Sequence, residues 1–245
     1  MELKPIRTDH QPLGRGTTYE HVQDVADVSQ GQKVLRNTYL LLAATMVPTI
    51  IGAFLGIQFA GVMMANPILT FVVLFGGIMG LQFGIVANRN SGVGVALLFL
   101  LTFLMGAFLG PLLNIALKMQ NGMKLVGYAA GGTGLIFFGM GAIATTTKRD
   151  FSFMGKFLFV GMIALLIAIV ANIFLKIPAL ALTISTLVVV VFSLYLLYDL
   201  NRIVRGGETN YILATTGVYI SLLNIFSSLL QILIMLGGGG SSSRD

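Results

Sequence analysis

Long apolar stretches separated by short polar breaks make up most of the chain after a polar beginning. Seven of these stretches carry no charged residue, and they cover residues 38–57, 67–87, 92–117, 125–145, 157–175, 177–198 and 211–236. At about 1.5 Å per helical residue, each can cross a hydrocarbon core of about 30 Å. The pattern therefore predicts an all-α membrane protein, a bundle of seven transmembrane helices.

Two places in the sequence interrupt the apolar pattern: a very short polar break between the fifth and sixth runs, and a proline inside the third run. Lys176, Ile177 and Pro178 alone separate the fifth run from the sixth, and residues 157–198 would be too long for one crossing, so a tight hairpin is predicted there. Pro111 lies inside the third run, where a missing N–H and a ring clash predict a kink.

The polar ends of the chain define its predicted organisation. Residues 1–33 hold five acidic residues, both histidines and no apolar run, which predicts a polar N-terminal tail with a short helix around residues 19–30 and no cleaved signal peptide. Residues 34–236 form the predicted transmembrane domain. The glycine- and serine-rich residues 237–245 are interpreted as a flexible C-terminal tail.

Composition and charge narrow the class of protein and its orientation. Hydrophobic residues make up 56% of the chain and charged residues 10%, whereas soluble domains carry about 25% charged residues. The lysines and arginines are scattered between apolar runs, so no nucleic-acid partner is expected.

The basic residues also predict the orientation in the membrane. If the N-terminus is cytoplasmic, eleven of the 15 lysines and arginines lie on that side. The positive-inside rule then favours a cytoplasmic N-terminus and a C-terminus outside.

Glycines recur at four-residue spacing within the predicted spans. They are Gly52 and Gly56; Gly76, Gly80 and Gly84; Gly106 and Gly110; and Gly127 and Gly131. Such small faces let helix backbones approach closely in lipid. We expect them to serve internal packing, with the alternative that one face supports a homo-oligomer.

Catalytic constellations are missing from the apolar part of the sequence. Both histidines lie in the tail and there is no cysteine, so neither a zinc-binding helix nor a nucleophile triad can be assembled in the spans. We therefore expect no enzyme activity, no cofactor and no assigned metal site.

Acidic residues are scarce after the tail, which draws attention to Asp199. Between Val28 and Arg244 the acids are Asp150, Asp199 and Glu208. Asp199 ends the sixth run, one helical turn after Tyr195 and three residues before Arg202. It either faces the bundle, where a carboxylate could gate a path, or lies at the interface paired with Arg202.

The last predicted span carries a polar stripe. Gly217, Ser221, Asn224, Ser228 and Gln231 recur at helical spacing and share one face. Polar residues in a membrane helix point into the bundle, so this helix is predicted to be central. The stripe either lines a wet ion path or makes hydrogen bonds between helices.

Several segments resemble one family. Residues 192–201, 206–212 and 219–226 resemble the carboxy-terminal signature of the Bax inhibitor (transmembrane Bax inhibitor motif) family, with a signature loop that includes Gly206, Gly207, Glu208 and Asn210. Residues 34–39, 109–114, 148–153 and 170–175 are similar to its bacterial YccA branch.

The resemblance implies a function and an alternative. It implies a multi-pass protein of the bacterial inner membrane that is a partner and substrate of the FtsH protease and restrains its attack on other membrane proteins. The alternative is a pH-sensitive calcium leak channel, with calcium as the transported ion and an aspartate pair as its control. Asp199 matches the first aspartate, Ser221 replaces the second, and the family's arginine falls on Asn88, beside Arg89. The candidate ion or proton path is Asp199, Ser221, Asn224, Tyr195 and Arg89.

Overall fold

The structure, a computed structural model, describes the backbone of residues 15–238 and the side chains of residues 31–237. This part of the chain is helical throughout apart from its connecting turns. Its helices are α1 (Arg15–Gln58), α2 (Ala60–Ala65), α3 (Pro67–Ala87), α4 (Gly92–Phe108), α5 (Gly110–Leu117), α6 (Gly122–Thr146), α7 (Met154–Leu175), α8 (Pro178–Val204) and α9 (Tyr211–Gly238).

Seven helical segments in this range are long and apolar enough to span a membrane, which confirms the predicted fold class. They are Gly31–Gln58, Pro67–Ala87, Gly92–Leu117, Gly122–Thr146, Met154–Leu175, Pro178–Val204 and Tyr211–Gly237. The third span combines α4 and α5.

The two ends of the predicted transmembrane domain are not marked by a change of secondary structure. Helix α1 runs without interruption from Arg15, so the helix predicted around residues 19–30 is continuous with the first span. Helix α9 likewise continues through Gly238. Residues 1–14 of the predicted N-terminal tail and residues 239–245 of the predicted C-terminal tail lie outside the described residues.

The predicted hairpin is present, and the helix of the third span is interrupted next to Pro111, where the kink was predicted. Helix α4 ends at Phe108 and α5 begins at Gly110, so the third span is interrupted one residue before the Gly110-Pro111 pair. At the hairpin, Lys176 adopts the left-handed conformation, with a φ of 53°. The Asn172 side-chain carbonyl accepts a bond from the Ile177 amide at 3.1 Å, which stabilises the turn into α8.

Helix α9 lies at the centre of the bundle. It packs against α1, α3, α4, α5, α6 and α8. Five of its large side chains are fully buried, namely Ile212, Val218, Tyr219, Ile225 and Leu230. None of the polar-stripe residues is exposed. The predicted central position of the last span is confirmed.

Close glycine packing joins the first span to the third. A Cβ at Gly52 or Gly56 would overlap the α4 backbone at Phe103 or Ala107, and a Cβ at Gly106 would overlap the α1 backbone at Thr49. Gly110 likewise sits directly against Gly56. The prediction of internal packing is therefore confirmed for this pair of helices.

The other predicted glycine faces behave differently. Within the described residues nothing lies within 4 Å of a Cβ built at Gly76, Gly80, Gly127 or Gly131, while Gly84 meets only the Leu97 side chain. Internal backbone packing at those four positions was a wrong prediction. Spacing alone cannot tell a glycine that faces a helix from one that faces lipid, because both faces are apolar. The homo-oligomer alternative stays a prediction.

Candidate functional site

Asp199 points at the central helix. Its side chain is partly buried, and its Oδ2 lies 2.8 Å from the point where a Cβ of Gly217 would be. A larger residue at position 217 would therefore displace the carboxylate. The glycine allows an acidic side chain from α8 to lie directly against the backbone of α9.

Helices α8 and α9 run antiparallel, and this sets how deep in the bundle Tyr195 and Ser221, two other residues of the candidate ion path, lie relative to Asp199. Because Asp199 lies opposite Gly217, Tyr195 lies one turn deeper on α8 and Ser221 one turn deeper on α9. Ser221 is buried. Tyr195, Asp199 and Ser221 therefore occupy neighbouring levels of the same helix interface, and the Asp199 carboxylate has a serine rather than a second acid within one turn.

Two other candidates contribute less to this interface. The Asn224 side chain donates a hydrogen bond of 2.8 Å to the Ile220 carbonyl of its own helix. Arg89 lies in the turn between α3 and α4 with an exposed side chain, and it contacts the rest of the molecule through its backbone carbonyl. The structure thus places Asp199, Ser221 and Tyr195 at neighbouring levels of the bundle and leaves the Arg89 side chain at the surface.

The expected pairing of Asp199 with Arg202 is replaced by a different ion pair. Arg202 Nη2 lies 3.2 Å from Glu208 Oε2, with side-chain exposures of 43% and 15%. Arg202 Nε also donates to the Gly207 carbonyl at 3.1 Å. The interfacial alternative was therefore wrong about the partner, because the signature loop folds back and brings Glu208 to the arginine.

The turn in this loop requires a glycine. Gly206 has a φ of +73°, a conformation that side-chain-bearing residues rarely adopt. The amides of Gly207 and Glu208 then both donate to the Arg202 carbonyl, at 2.9 and 3.2 Å. We call residues 202–210 the loop clamp.

Asn210 connects the loop clamp to two other elements. Its Oδ1 accepts bonds from the amides of Ile212 and Leu213 at 3.0 and 3.1 Å, which caps the start of α9. Its Nδ2 donates to the Arg89 carbonyl at 2.7 Å and to Asn90 Oδ1 at 2.8 Å. One amide side chain therefore fixes both the central helix and the turn between α3 and α4.

Asn201 joins the end of α8 to the segment between α6 and α7, a role that the sequence reading missed. Its side chain is buried; it donates to the Arg149 carbonyl and accepts from the Phe151 amide, both at 3.3 Å. Arg205 Nη2 adds a bond of 3.4 Å to the Thr147 carbonyl. The sequence clues were its place two residues after Asp199 and at the end of the segment 192–201 that resembles the family signature.

Tyr219 was also missed as an important residue. Its ring is 1% exposed, and its hydroxyl lies 2.8 Å from Thr49 Oγ1 on α1 and 3.1 Å from the Thr102 carbonyl on α4. It lies two positions from Gly217 and therefore off the polar stripe. Helix α9 presents one polar face to α8 and another to α1 and α4.

The described residues contain no group of three His, Cys, Asp or Glu side chains that could hold a metal ion. The chemistry available at the Asp199 interface is that of one carboxylate with a serine and a tyrosine nearby.

The amino-acid sequence of this chain is similar to those of several known proteins. Residues 31–238 match the family model described as inhibitor of apoptosis-promoting Bax1. A Vibrio cholerae membrane protein is 43% identical over 82% of this chain and 88% of its own length. A Pseudomonas aeruginosa protein is 40% identical over 90% of this chain and 97% of its own length. The modulator of FtsH protease YccA of Escherichia coli is 41% identical over 87% of this chain and 92% of its own length.

Proposed function

Because the chain belongs to the Bax inhibitor family, we propose that it is a non-enzymatic modulator of the FtsH protease in the bacterial inner membrane. The observation that carries the proposal is the extent of its likeness to the Escherichia coli modulator, which covers most of both chains. In this proposal the chain is both a partner and a substrate of the protease, and it restrains the proteolysis of other membrane proteins.

The packing of α1 supports a mechanism for that restraint. An ATP-driven protease that pulls on the N-terminal segment must draw out the first span, Gly31–Gln58. Gly52 and Gly56 lock this span against the third, and its Thr49 bonds to Tyr219 of the central helix. A span held along its length leaves slowly, so the protease stays occupied by this chain.

Deleting residues 2–14, which precede α1, tests the engagement step. The full chain and the deletion variant are compared in vesicles that contain FtsH and ATP, with removal of residues 239–245 as the matched control at the other end. We expect the N-terminal deletion to lengthen the half-life of the chain and to speed the degradation of a second membrane substrate. The control deletion leaves both rates unchanged.

Two results would contradict the proposal. If neither deletion alters either rate, the protease does not engage this chain through its N-terminal segment. If the full chain leaves the degradation of the second substrate unchanged at any ratio to FtsH, it does not restrain the protease. Circular dichroism of the purified variants confirms that the helical bundle is intact in each case.

The calcium-leak alternative has one observation in its favour. Asp199 faces the central helix rather than lipid. Ser221 stands where a second carboxylate would be needed, and two carboxylates that share a proton titrate differently from one alone. The alternative stays a prediction, which the Asp199→Asn measurement described below tests.

A further inference from the structure

A groove of about 610 Å³ opens between the first and fourth spans. Helix α1 lines it from Leu35 to Met46, α6 lines it from Phe137 to Thr145, and Leu222 of α9 contributes to its floor. The lining is almost entirely apolar. Neither the loop clamp nor the proposed modulator function uses this groove.

The groove opens sideways, toward the bilayer. Within the described residues no Cα of α1 comes within 8 Å of a Cα of α6, so the two backbones remain apart. The Tyr39 and Phe137 rings meet edge to face at 5.7 Å between centroids and are the bridge between the two walls. Met46 and Phe138, which also line the groove, are 39% and 73% exposed, so hydrocarbon from the membrane can reach the groove without a change in the fold.

The depth of the groove corresponds to one leaflet. Leu35 and Met46 are eleven residues apart on α1, which is about 16 Å along a helix axis. Half of a hydrocarbon core of about 30 Å is about 15 Å. Leu35 and Thr145 mark the end at the membrane surface, because α6 ends one residue later, at Thr146. Met46 marks the deep end near the bilayer midplane, and on α6 the wall extends about 12 Å from Thr145 to Phe137.

Basic side chains surround the surface end of the groove. Arg36 follows Leu35 directly, and Lys148 and Arg149 follow Thr145 by three and four residues; all three side chains are exposed. Among the described side chains Asp150 is the acid beside them, and its carboxylate accepts bonds from the Ser152 hydroxyl and amide at 2.6 and 2.8 Å. These bonds hold the pKa of Asp150 below its ordinary value. The local charge is positive with Asp150 ionised.

We propose that this groove binds one acyl chain of an anionic phospholipid, with Arg36, Lys148 and Arg149 contacting its phosphate and headgroup. Apolar walls one leaflet deep fit an acyl chain, and the basic rim selects for negative charge. A transmembrane helix of another protein is about 10–12 Å wide and crosses both leaflets. It would extend past the deep end of this groove and would gain nothing from the basic rim.

Fluorescence quenching by brominated lipid tests the proposal, because the chain has no tryptophan of its own. Phe138 lines the groove and is 73% exposed, so Phe138→Trp places a reporter at its wall. Leu100 lies on α4 outside the groove and is 51% exposed. Both residues are eight positions, about 12 Å, from the helix end on the same side of the bundle. Leu100→Trp is therefore a control at matched depth.

Each single-tryptophan protein is reconstituted in mixed phosphatidylglycerol and phosphatidylcholine vesicles in which only one of the two lipids is brominated. At Phe138→Trp we expect brominated phosphatidylglycerol to quench at least twofold more than brominated phosphatidylcholine at equal mole fraction. At Leu100→Trp the two lipids should quench equally. Equal quenching at both positions would overturn the proposal, and protection from both lipids at Phe138→Trp would show that polypeptide fills the groove instead.

Charge variants separate the basic rim from general attraction to the membrane. One variant replaces the three basic rim residues in the Phe138→Trp background, as Arg36→Gln, Lys148→Gln and Arg149→Gln. Its control removes the same number of charges at the opposite end of the bundle, as Lys118→Gln, Lys124→Gln and Lys176→Gln. The rim variant should lose the preference for phosphatidylglycerol and the control should keep it. A preference that survives in the rim variant would overturn the assignment of the headgroup site.

Discussion

Replacing Tyr219 by phenylalanine tests whether hydrogen bonds hold the centre of the bundle. The substitution keeps the buried ring and removes one oxygen. That oxygen contacts Thr49 Oγ1 at 2.8 Å and the Thr102 carbonyl at 3.1 Å. It therefore joins the central helix α9 to α1 and α4, so its removal weakens the contact between three helices without creating a large cavity.

The size of the effect follows from what is left behind. Thr49 Oγ1 still donates to the Thr45 carbonyl at 2.7 Å, so the threonine hydroxyl keeps a partner. Hydrogen bonds between membrane helices contribute about 0.6 kcal/mol each on average. The Tyr219 and Thr49 hydroxyls carry one hydrogen each, so only two of the contacts Thr49–Thr45, Thr49–Tyr219 and Tyr219–Thr102 are hydrogen bonds at one time, and one of them remains in Tyr219→Phe. The net loss is one bond, about 0.6 kcal/mol in the free energy of unfolding, which is roughly a threefold change in the unfolding equilibrium.

Reversible unfolding in mixed detergent micelles measures this loss. Tyr128→Phe is the matched control, because Tyr128 is 65% exposed and should change stability little. Combining Tyr219→Phe with Thr49→Val in a double-mutant cycle tests this count, because each single variant keeps one hydrogen bond and the double variant keeps none, so the two losses should add to about 1.2 kcal/mol.

Two outcomes would refute this reasoning. A stability equal to that of Tyr128→Phe would show that the hydroxyl contributes nothing to the contact between helices. A loss above about 3 kcal/mol would show that its removal leaves a buried polar group without a partner. In the proposed mechanism the less stable variant is also degraded faster by FtsH and restrains it less.

Three further predictions concern the glycine contact, the acidic side chain and the loop clamp. Gly106→Val should lower the free energy of unfolding by about 1–3 kcal/mol, the usual cost of overpacking. Gly80→Val, whose side chain meets open space, should change the free energy of unfolding little in the same assay. If the leak alternative holds, Asp199→Asn should abolish the pH dependence of calcium entry into dye-loaded liposomes, and wild-type entry equal to that of empty vesicles would remove the alternative. Asn210→Ala removes the α9 cap and both bonds to the turn after α3, so we expect a loss of about 1–2 kcal/mol and faster amide exchange at that turn.

The number and position of the spans could be predicted from sequence because membrane spans follow a one-dimensional rule. A stretch such as residues 67–87 must be apolar and about 20 residues long whatever its neighbours are. The central position of α9 could be predicted for a similar reason, since polar side chains such as Ser221 are costly against lipid. Both predictions depend on how a side chain interacts with the surrounding lipid, and not on which helix it packs against.

The partners of individual side chains could not be predicted in this way. One of the two alternatives for Asp199 paired it with Arg202 within their helix, but the left-handed turn at Gly206 brings Glu208 back to the arginine. Tyr219 lies in an apolar-looking stretch between the stripe positions, so its bonds to α1 and α4 had no counterpart in the pattern. Pairings between helices depend on loop geometry and on which faces meet.

The two functional hypotheses place opposite demands on the centre of this bundle. A leak requires a path beside Asp199 that opens, whereas a restraint on an unfolding protease requires a centre that resists opening. The bond of Tyr219 to Thr49 and the close contact of Gly106 with α1 both serve the second requirement. Loosening this centre should therefore separate the two functions. In Tyr219→Phe a leak channel would conduct more, while a modulator would be degraded sooner and protect other substrates less.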